Sequence, residues 1–316
     1  MSDVLVTGAT GRLGTALVQS LVGAGYSVTA LSNEPAKNTR GAAQIVADIN
    51  DKDSLEKAFS SSGAGTVIHL AAIVSQYRYG KSMIHKVNVE GTSNIVSLCK
   101  AFNIKHLIFA STVDIYGRSR KDTLDENSAI MPSDAYARSK AEAEKIITSS
   151  GINYTIFRMA AIYGPGFEGS FFKVFDSIVK GKAYIIGNGN NKLSLLNASD
   201  AVSAYMLAIS NGKSLNKLYN LSDGNEYTQN FLYDTASKLL GVQAKPKHIN
   251  KLLAYMIAKA RGFDTDELRF ITSNRSISIS KIKSELGFMP AVSIDEGGLE
   301  LVKLFLSNAQ KQNIQS

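Results

Sequence analysis

The stretch Val4-Leu-Val-Thr-Gly-Ala-Thr-Gly-Arg-Leu-Gly14 decides the fold of this chain. It begins as an apolar run, which is typical of a buried parallel strand. Gly8, Gly11 and Gly14 follow in the spacing G-x-x-G-x-x-G. In a strand–turn–helix unit the first glycine permits the tight turn, the second lets the backbone approach a pyrophosphate, and the third allows close helix packing. Free N–H groups at the start of the helix then favour a phosphate.

Glycine spacing alone is a weak signal, because a strand-to-helix turn without a ligand shows the same spacing. The flanking residues strengthen it here. Leu17, Leu21 and Val22 follow at helical intervals, and a second strand pattern covers residues 27–31. The segment is therefore a complete βαβ unit, which predicts a dinucleotide-binding turn.

The composition predicts a compact protein. The chain has 316 residues, of which 44% are hydrophobic and 20% are charged. No run approaches 18 apolar residues, so we expect no membrane span. The first strand begins almost at the N-terminus, which leaves no room for a signal peptide. The single cysteine, Cys99, excludes an internal disulfide. We therefore expect a cytoplasmic protein.

The charge pattern indicates small-molecule chemistry and no nucleic acid. The net charge is +8 and the isoelectric point is near 9.3. The basic residues are scattered along the chain, so the positive field favours anionic small ligands and does not form a nucleic-acid patch. The four histidines, His69, His85, His106 and His248, have no metal-ligand spacing, and we expect no metal.

Strand and helix patterns alternate through the first half of the chain, which predicts an α/β fold with a doubly wound parallel sheet. The pattern changes after Gly164-Pro-Gly166. We expect a Rossmann dinucleotide-binding domain over residues 1–165, to which some later segments return. Residues 166–316 then form mainly a smaller α/β C-terminal substrate lobe. The predicted strands are 43–47, 66–72, 105–110 and 154–158, and the predicted helices are 54–59 with Asp53 as N-cap, 87–102 and 135–149.

An amphipathic segment stands apart in the second half. Apolar residues recur there at helical spacing: Ile249, Leu252, Leu253, Met256, Ile257 and Ala260. Lys251, Lys259 and Arg261 surround them. This pattern also suits a helix that lies on a membrane surface. We expect instead that its apolar face packs inside the substrate lobe.

A second constellation, Tyr136-Ala-Arg-Ser-Lys140, suits acid–base chemistry. Positions four apart share a helix face, so the Tyr hydroxyl and the Lys ammonium can point into one site. Lowering a tyrosine pKa from near 10 to about 7 requires roughly 4 kcal/mol of preferential phenolate stabilisation. A nearby ammonium and a cationic nicotinamide ring can supply it. Ser111 and Thr112 end a predicted buried strand, where a hydroxyl can orient a substrate oxygen toward Tyr136.

Together these motifs resemble the extended short-chain dehydrogenase/reductases of the NAD-dependent epimerase/dehydratase superfamily. The resemblance covers nearly the whole chain. The segments that carry it are Thr7–Gly14, Asp48-Ile49, His69–Ala72, Val87–Thr92, Thr112, Tyr136 with Lys140, and Leu286–Pro290.

The resemblance implies a small-molecule substrate, a nicotinamide cofactor and three catalytic residues. Tyr136 would exchange a proton with the substrate, Lys140 would lower the Tyr pKa and hold the nicotinamide ribose, and Thr112 would polarise the substrate oxygen. It also implies a homodimer formed through helices at 83–102 and 135–149. Asn88 would hold a bend in the central helix. The implied cofactor-binding residues are Gly8, Thr10, Gly11, Arg12, Leu13, Gly14, Ser32, Asn33, Asp48, Ile49, Leu70, Ala71, Ala72, Asn88, Ser111, Tyr136, Lys140, Ala161 and Ile162.

The choice between NAD and NADP depends on the end of the second strand. An NAD enzyme usually carries an acid there, which bonds the ribose 2′-OH. Ser32 or Asn33 occupies that place, and Glu34 comes one step later. The nearby cations able to bind a 2′-phosphate are Arg12, Lys37 and Arg40. We slightly favour NADP and keep NAD open.

Two departures from the pattern bear on the substrate. Nucleotide-sugar epimerases often have Asn where this chain has Ala161, and a diphosphate-binding Arg where it has Leu193. Lys192 is one position away. Both segments look more like the 3β-hydroxysteroid dehydrogenase and dihydroflavonol reductase branch. We therefore predict a dehydrogenase or reductase that transfers a hydride to or from an alcohol/ketone carbon of a less polar small molecule.

Two alternatives remain open. One is a nucleotide-sugar epimerase or dehydratase with tightly bound NAD, although dehydratases commonly have Asp-Glu where this chain has Val113-Asp114. The other is a non-catalytic regulatory protein that binds NAD(P) on the same fold. Such relatives usually lose the Tyr/Lys pair, which is present here.

Overall fold

The computed structural model describes residues 3–35, 39–74, 76–118, 122–262, 265, 268 and 271–314. Its strands, in chain order, are β1 Val4–Thr7, β2 Val28–Ser32, β3 Ala43–Val46, β4 Thr66–His69, β5 His106–Thr112, β6 Thr123–Leu124, β7 Tyr154–Met159, β8 Ala161–Tyr163, β9 Tyr184–Ile186, β10 Lys192–Leu193, β11 Leu195–Asn197, β12 Lys217–Leu221, β13 Tyr227–Thr228, β14 Lys247–Ile249 and β15 Ser276–Ile277.

The α-helices follow the same order. They are α1 Arg12–Gly23, α2 Lys52–Ser62, α3 Gln76–His85, α4 Gly91–Ala101, α5 Ala135–Thr148, α6 Gly169–Val179, α7 Ala198–Ser210, α8 Gln229–Leu240, α9 Lys251–Ala260, α10 Ser280–Leu286 and α11 Ile294–Ile314. The described residues also form three short helical turns: a π-helical turn at Lys86–Glu90 and 3₁₀ turns at Val113–Tyr116 and Gly212–Ser214.

A seven-stranded sheet with the order β12-β7-β5-β4-β1-β2-β3 forms the centre of the molecule. Every neighbouring pair in it is parallel. The chain order reverses between β1 and β4, and in an open α/β sheet the ligand crevice lies beyond the carboxyl ends of the strands at that reversal. The predicted doubly wound Rossmann fold is therefore confirmed.

Helices cover both faces of this sheet. On one face α1, α7 and α10 bury residues such as Leu17 and Ile282 in a single cluster. On the other face α2, α4 and α5 bury residues such as Phe59 and Ile147. Both faces are apolar, which explains why the strands read as near-continuous hydrophobic runs in the sequence.

A third cluster lies outside the sheet. It joins α6, α8 and α11 through residues such as Phe175, Ala236 and Leu301. The chain returns from this part to the sheet, because β12 pairs with β7 and α10 is tied to β12. Lys281 Nζ donates to the Leu218 carbonyl at 2.9 Å, and the Tyr219 hydroxyl donates to Glu285 at 2.8 Å.

Several predicted boundaries are wrong. The N-cap of α2 is Asp51, whose carboxylate accepts from the N–H of Asp53, so Asp53 already lies inside the helix. The helix predicted over 87–102 is interrupted by the π-helical turn, and α4 begins only at Gly91. β4 ends at His69, three residues early. β5 continues to Thr112, two residues beyond the prediction.

The expectation that the apolar face of α9 packs inside the lobe is wrong. Leu252 is 68% exposed, Leu253 47%, Met256 55% and Ile257 40%. Ala258, on the opposite side, is the buried residue of the helix. No helix in the described part of the chain is long and apolar enough to cross a bilayer.

The close packing of α1 on the glycine turn gives a test of the fold. A Cβ at Gly14 would lie 2.2 Å from the Gly8 carbonyl oxygen, whereas a Cβ at Gly23 in the same helix would meet nothing within 4 Å. We expect Gly14→Ala to lower the free energy of unfolding by about 2 kcal/mol through overpacking. Gly23→Ala should raise it by about 0.5 kcal/mol. Equal effects of the two substitutions in urea unfolding would contradict this packing.

Candidate active site

The turn between β1 and α1 has the geometry of an anion cradle. Gly8 has φ +68°, and a Cβ there would lie 2.7 Å from the backbone nitrogen of Ala71. Gly11 is the N-cap of α1 and has no side chain to bond the first N–H groups of the helix. These groups and the positive end of the helix dipole therefore favour an anion. The turn fits the diphosphate of a dinucleotide.

Most of the predicted cofactor-binding residues lie at five places along one edge of the sheet. Because the strands are parallel, their carboxyl ends meet at that edge. The segments that follow β1, β3 and β4 are there, together with the end of β5 and strand β8. They hold, in this order, Gly8, Thr10, Gly11, Arg12, Leu13 and Gly14; Asp48 and Ile49; Leu70, Ala71 and Ala72; Ser111; and Ala161 and Ile162.

β2 ends at Ser32, and the first acidic residue after it, Glu34, is exposed two residues further on. The Ser32 hydroxyl is buried and donates to the Glu34 carbonyl at 2.6 Å, while Asn33 is exposed. The Arg12 guanidinium stacks over the Phe167 ring at 5.8 Å, and Arg40 is exposed. The third candidate for a 2′-phosphate, Lys37, lies outside the described residues.

A buried line of hydrogen bonds runs from the glycine turn into the central helices. The N–H of Ala71 donates to Thr7 Oγ1 at 3.3 Å, and Thr7 Oγ1 contacts His69 Nδ1 at 2.7 Å. His69 Nε2 contacts Thr92 Oγ1 at 3.0 Å, and the Thr92 hydroxyl donates to the Asn88 carbonyl at 2.6 Å. Thr92 therefore accepts from His69 Nε2–H, which leaves Nδ1 to accept from Thr7.

Asn88 fastens the segment after β4 to α5. It lies in the π-helical turn, where its side chain accepts from the Ile73 N–H at 2.8 Å and donates to the Ile73 carbonyl at 2.9 Å. The same amide donates to Ser139 Oγ at 2.9 Å, and Ser139 donates to the Tyr136 carbonyl at 2.8 Å. The bend in the central helix is thus coupled to the helix that carries Tyr136.

The three candidate catalytic residues meet at the end of β5. Thr112 is the last residue of that strand, and its hydroxyl lies near enough to Tyr136 to lower the pKa of that phenol. Lys140 is 2% exposed, donates to the Ala110 carbonyl at 2.8 Å and lies 4.5 Å from the centre of the Phe109 ring. Asp134 caps α5 by accepting from the Ala137 N–H, which fixes the start of the helix.

A family model for the NAD dependent epimerase/dehydratase family matches residues 4–222. The chain belongs to this family. Its relatives include a putative UDP-glucose 4-epimerase from Methanocaldococcus jannaschii, 30% identical over 259 residues that cover 77% of this chain and 84% of that protein. They also include a sterol-4-alpha-carboxylate 3-dehydrogenase from Schizosaccharomyces pombe, 27% identical over 285 residues that cover 79% of this chain and 80% of that protein.

A solved structure shows the same architecture. The UDP-glucose 4-epimerase from Thermotoga maritima, determined with UDP-glucose, superimposes with a TM-score of 0.82 at 25% sequence identity and covers 97% of this chain and 99% of its own. The protein is therefore an enzyme of the epimerase/dehydratase family, with a dehydrogenase, reductase or epimerase activity.

Burial dominates the electrostatics of the family's Tyr–Lys pair. It raises the pKa of Tyr136, and the charges of Asp114 and Asp134 raise it further, against a smaller lowering by Thr112. Burial lowers the pKa of Lys140 to about 7, which the Glu144 carboxylate partly opposes. The protein alone thus holds Tyr136 as a protonated phenol, and a phenolate requires an additional positive charge in the site.

The sequence reading missed a buried ion pair beside this site. Glu144 and Arg158 are each 4% exposed, and Arg158 Nη2 lies 2.7 Å from Glu144 Oε2. Ser111 donates to the same carboxylate at 2.5 Å, and Arg158 donates to the Tyr116 hydroxyl at 2.8 Å. A signal was present, because Glu144 follows Lys140 by one helical turn and so shares its face.

A second charge cluster lies on the lobe side of the site. Arg275 is 4% exposed and forms an ion pair with Asp114, two residues after Thr112. Lys192, whose carbonyl accepts from the Arg275 N–H at 2.9 Å, pairs with Glu226 at 2.6 Å. The described residues contain no group of three or more side chains suited to hold a metal ion.

Breaking the buried Glu144–Arg158 pair should strongly lower the stability of the protein. Glu144→Gln leaves the Arg158 charge buried without its counter-ion, and we expect a loss of about 3 kcal/mol in the free energy of unfolding. Glu142 is the matched control, because it lies on the same helix with 49% of its side chain exposed. Glu142→Gln should change the free energy by no more than about 0.5 kcal/mol. A small loss in both variants would refute the assignment.

Lys140 should make stability depend on pH. Its folded pKa is about 7 and its usual value is 10.5, so between these values the unfolded chain binds a proton that the folded chain lacks. Stability therefore rises with pH across this window. Lys140→Met removes this pH dependence. In urea unfolding, the free energy of unfolding of this variant should therefore exceed that of the wild type by more at pH 6 than at pH 9. The exposed Lys145 on the same helix provides the control, and a pH-independent gain for Lys140→Met would contradict the shift.

Proposed function

We propose that the protein is an NAD(P)-dependent dehydrogenase or reductase. It transfers a hydride between the nicotinamide and an alcohol or ketone carbon of a weakly polar small molecule. The observation that carries this proposal is that the two cations described near Leu193 are already paired with carboxylates. Leu193, at the position where nucleotide-sugar epimerases often have Arg, is an apolar side chain only 8% exposed.

The neighbouring cations are already paired with carboxylates. Lys192 is held by Glu226, and Arg275 is held by Asp114. To bind these two cations, a substrate diphosphate would have to displace the acids that pair with them, which is unfavourable. A substrate without phosphate meets no such penalty. The charge pattern therefore supports an uncharged or weakly polar substrate.

The catalytic roles are part of the same proposal. The bound dinucleotide supplies the hydride donor or acceptor and, when oxidised, a positive charge. Tyr136 Oη exchanges a proton with the substrate oxygen, and the Thr112 hydroxyl donates a hydrogen bond to that oxygen. Lys140, anchored on the Ala110 carbonyl, has further N–H donors for the nicotinamide ribose and stabilises the phenolate of Tyr136 when charged.

The cofactor and its contacts follow from the glycine cradle. We propose that the diphosphate lies on the start of α1 and that residues 48–49 and 70–72 border the rest of the dinucleotide. Because the end of β2 lacks an acid and the Ser32 hydroxyl is committed to Glu34, we keep a slight preference for NADP over NAD.

We also propose the wider organisation. Residues 1–165 form the dinucleotide-binding domain, to which β12, α7 and α10 return, and residues 166–316 form mainly the substrate lobe. The protein is a cytoplasmic homodimer whose partner packs on α3, α4 and α5. Tyr79 and Met83, which are 48% and 45% exposed on α3, support this surface.

A nucleotide-sugar 4-epimerase with tightly bound NAD is the second candidate. The Methanocaldococcus jannaschii relative and the Thermotoga maritima structure favour it. An epimerase returns the hydride to its substrate and keeps its cofactor, whereas a dehydrogenase must exchange the cofactor at every turnover. The two candidates therefore differ in a property that can be measured without knowing the substrate.

The decisive experiment measures nucleotide binding to the purified protein. Denaturation should release little bound cofactor, and calorimetry should show reversible binding of NADPH or NADH but no binding of UDP at millimolar concentration. One tightly held NAD per chain together with micromolar UDP binding would overturn the proposal in favour of the epimerase. Tyr136→Phe should keep the cofactor affinity and lose turnover on any ketone found by screening with the reduced cofactor.

A further inference from the structure

Within the described residues, helix α9 is anchored on one side only. Ala258 is buried, the Lys251 ammonium donates to the Thr272 carbonyl at 3.1 Å, and the Tyr255 hydroxyl lies 3.4 Å from Thr272 Oγ1. These contacts fix the rotation of the helix about its axis. The opposite side is therefore held outward as a defined surface.

The outward side is a continuous apolar face, which we call the docking face. At about 100° per residue its members fall within an arc of about 140°. Such an arc is wide enough to bury the face of a helix against a partner. The members are Leu252, Leu253, Met256, Ile257 and Ala260.

Cations border this face in the described segment 243–262. Residues 243–262 contain five Lys or Arg and no Asp or Glu, while the whole chain has a net charge of only +8. Lys259 and Arg261 flank the apolar arc on its two sides, and both are exposed. Lys245 and Lys247, just before the helix, are exposed as well.

We propose that the docking face binds the surface of an anionic lipid bilayer, with α9 lying in the plane of the interface. The apolar arc can contact acyl chains, and the cations on its two sides can contact anionic headgroups. A bilayer also requires no hydrogen-bonding partners along the apolar arc. A second copy of this chain fits worse, because two α9 faces would bring two acid-free cationic segments together.

The docked helix is connected to the substrate side of the enzyme. Its anchor, Thr272, precedes by three residues Arg275, which pairs with Asp114 beside the catalytic strand end. An open cleft of about 720 Å³ borders the start of the helix and is lined by Gly187, Asn188 and residues 248–251. Docking therefore holds the substrate lobe against the membrane surface. The docking itself does not depend on the identity of the substrate.

Co-sedimentation with vesicles tests the proposal on the full-length protein. We expect the partition coefficient on phosphatidylcholine vesicles that contain phosphatidylglycerol to exceed that on pure phosphatidylcholine by at least about tenfold, and to fall at high salt. The double variant Leu252→Ser/Met256→Ser should lose at least about tenfold through the lost apolar contact. Lys259→Gln/Arg261→Gln should lose binding to the anionic vesicles only.

A matched control separates this face from general surface hydrophobicity. Met289 is 79% exposed and lies outside α9, so Met289→Ser should bind vesicles as the wild type does. Equal binding to both vesicle types, or unchanged binding of the Leu252/Met256 variant, would overturn the proposal. The proposal would also be overturned if light scattering showed that the Leu252/Met256 variant, unlike the wild type, no longer forms a dimer while its vesicle binding is unchanged. Binding to polyglutamate but not to vesicles would overturn it as well.

Discussion

The contact between the turn after β1 and the segment after β4 is the constraint on which the site depends. Only a glycine fits at position 8, because a Cβ would collide with the Ala71 backbone. Burial lowers the pKa of His69 to about 3, so its ring stays neutral and can accept from Thr7 while it donates to Thr92. The nucleotide turn is thereby joined to Asn88 and to the helix that carries Tyr136.

Charge in this site is compensated inside the protein. The Glu144 carboxylate accepts hydrogen bonds from Ser111 and Arg158, and the Arg275 guanidinium donates to the Asp114 carboxylate. Removing a charged group from water is unfavourable unless such a partner is present. Burial is the main reason why the pKa of Lys140 falls, and the Glu144 carboxylate opposes it only in part. A positive charge on a bound cofactor next to Tyr136 would therefore stabilise the phenolate.

The sequence predicted the parts of the molecule that depend on local spacing. The glycine turn, the alternation of strands and helices, and the Tyr136–Lys140 face follow from short-range geometry. The errors concern partners that spacing does not reveal. Asp51 and Asp53 are equally good caps by composition, and only the chain path selects Asp51. The apolar face of α9 has the pattern of a core helix, but its residues are exposed and no element in the described part of the chain covers them. Arg158 finds Glu144 only after β7 and α5 pack together.

The return of the chain to the sheet has a consequence for synthesis on the ribosome. Strand β7 pairs with β12, whose residues are made only after residues 160–216, and α10 from near the C-terminus is then tied to Leu218. Contacts between distant parts of a chain form slowly, because the loop between them must first close. The nascent β7 therefore has an unpaired edge while residues 160–216 emerge, and until then it can pair with other chains.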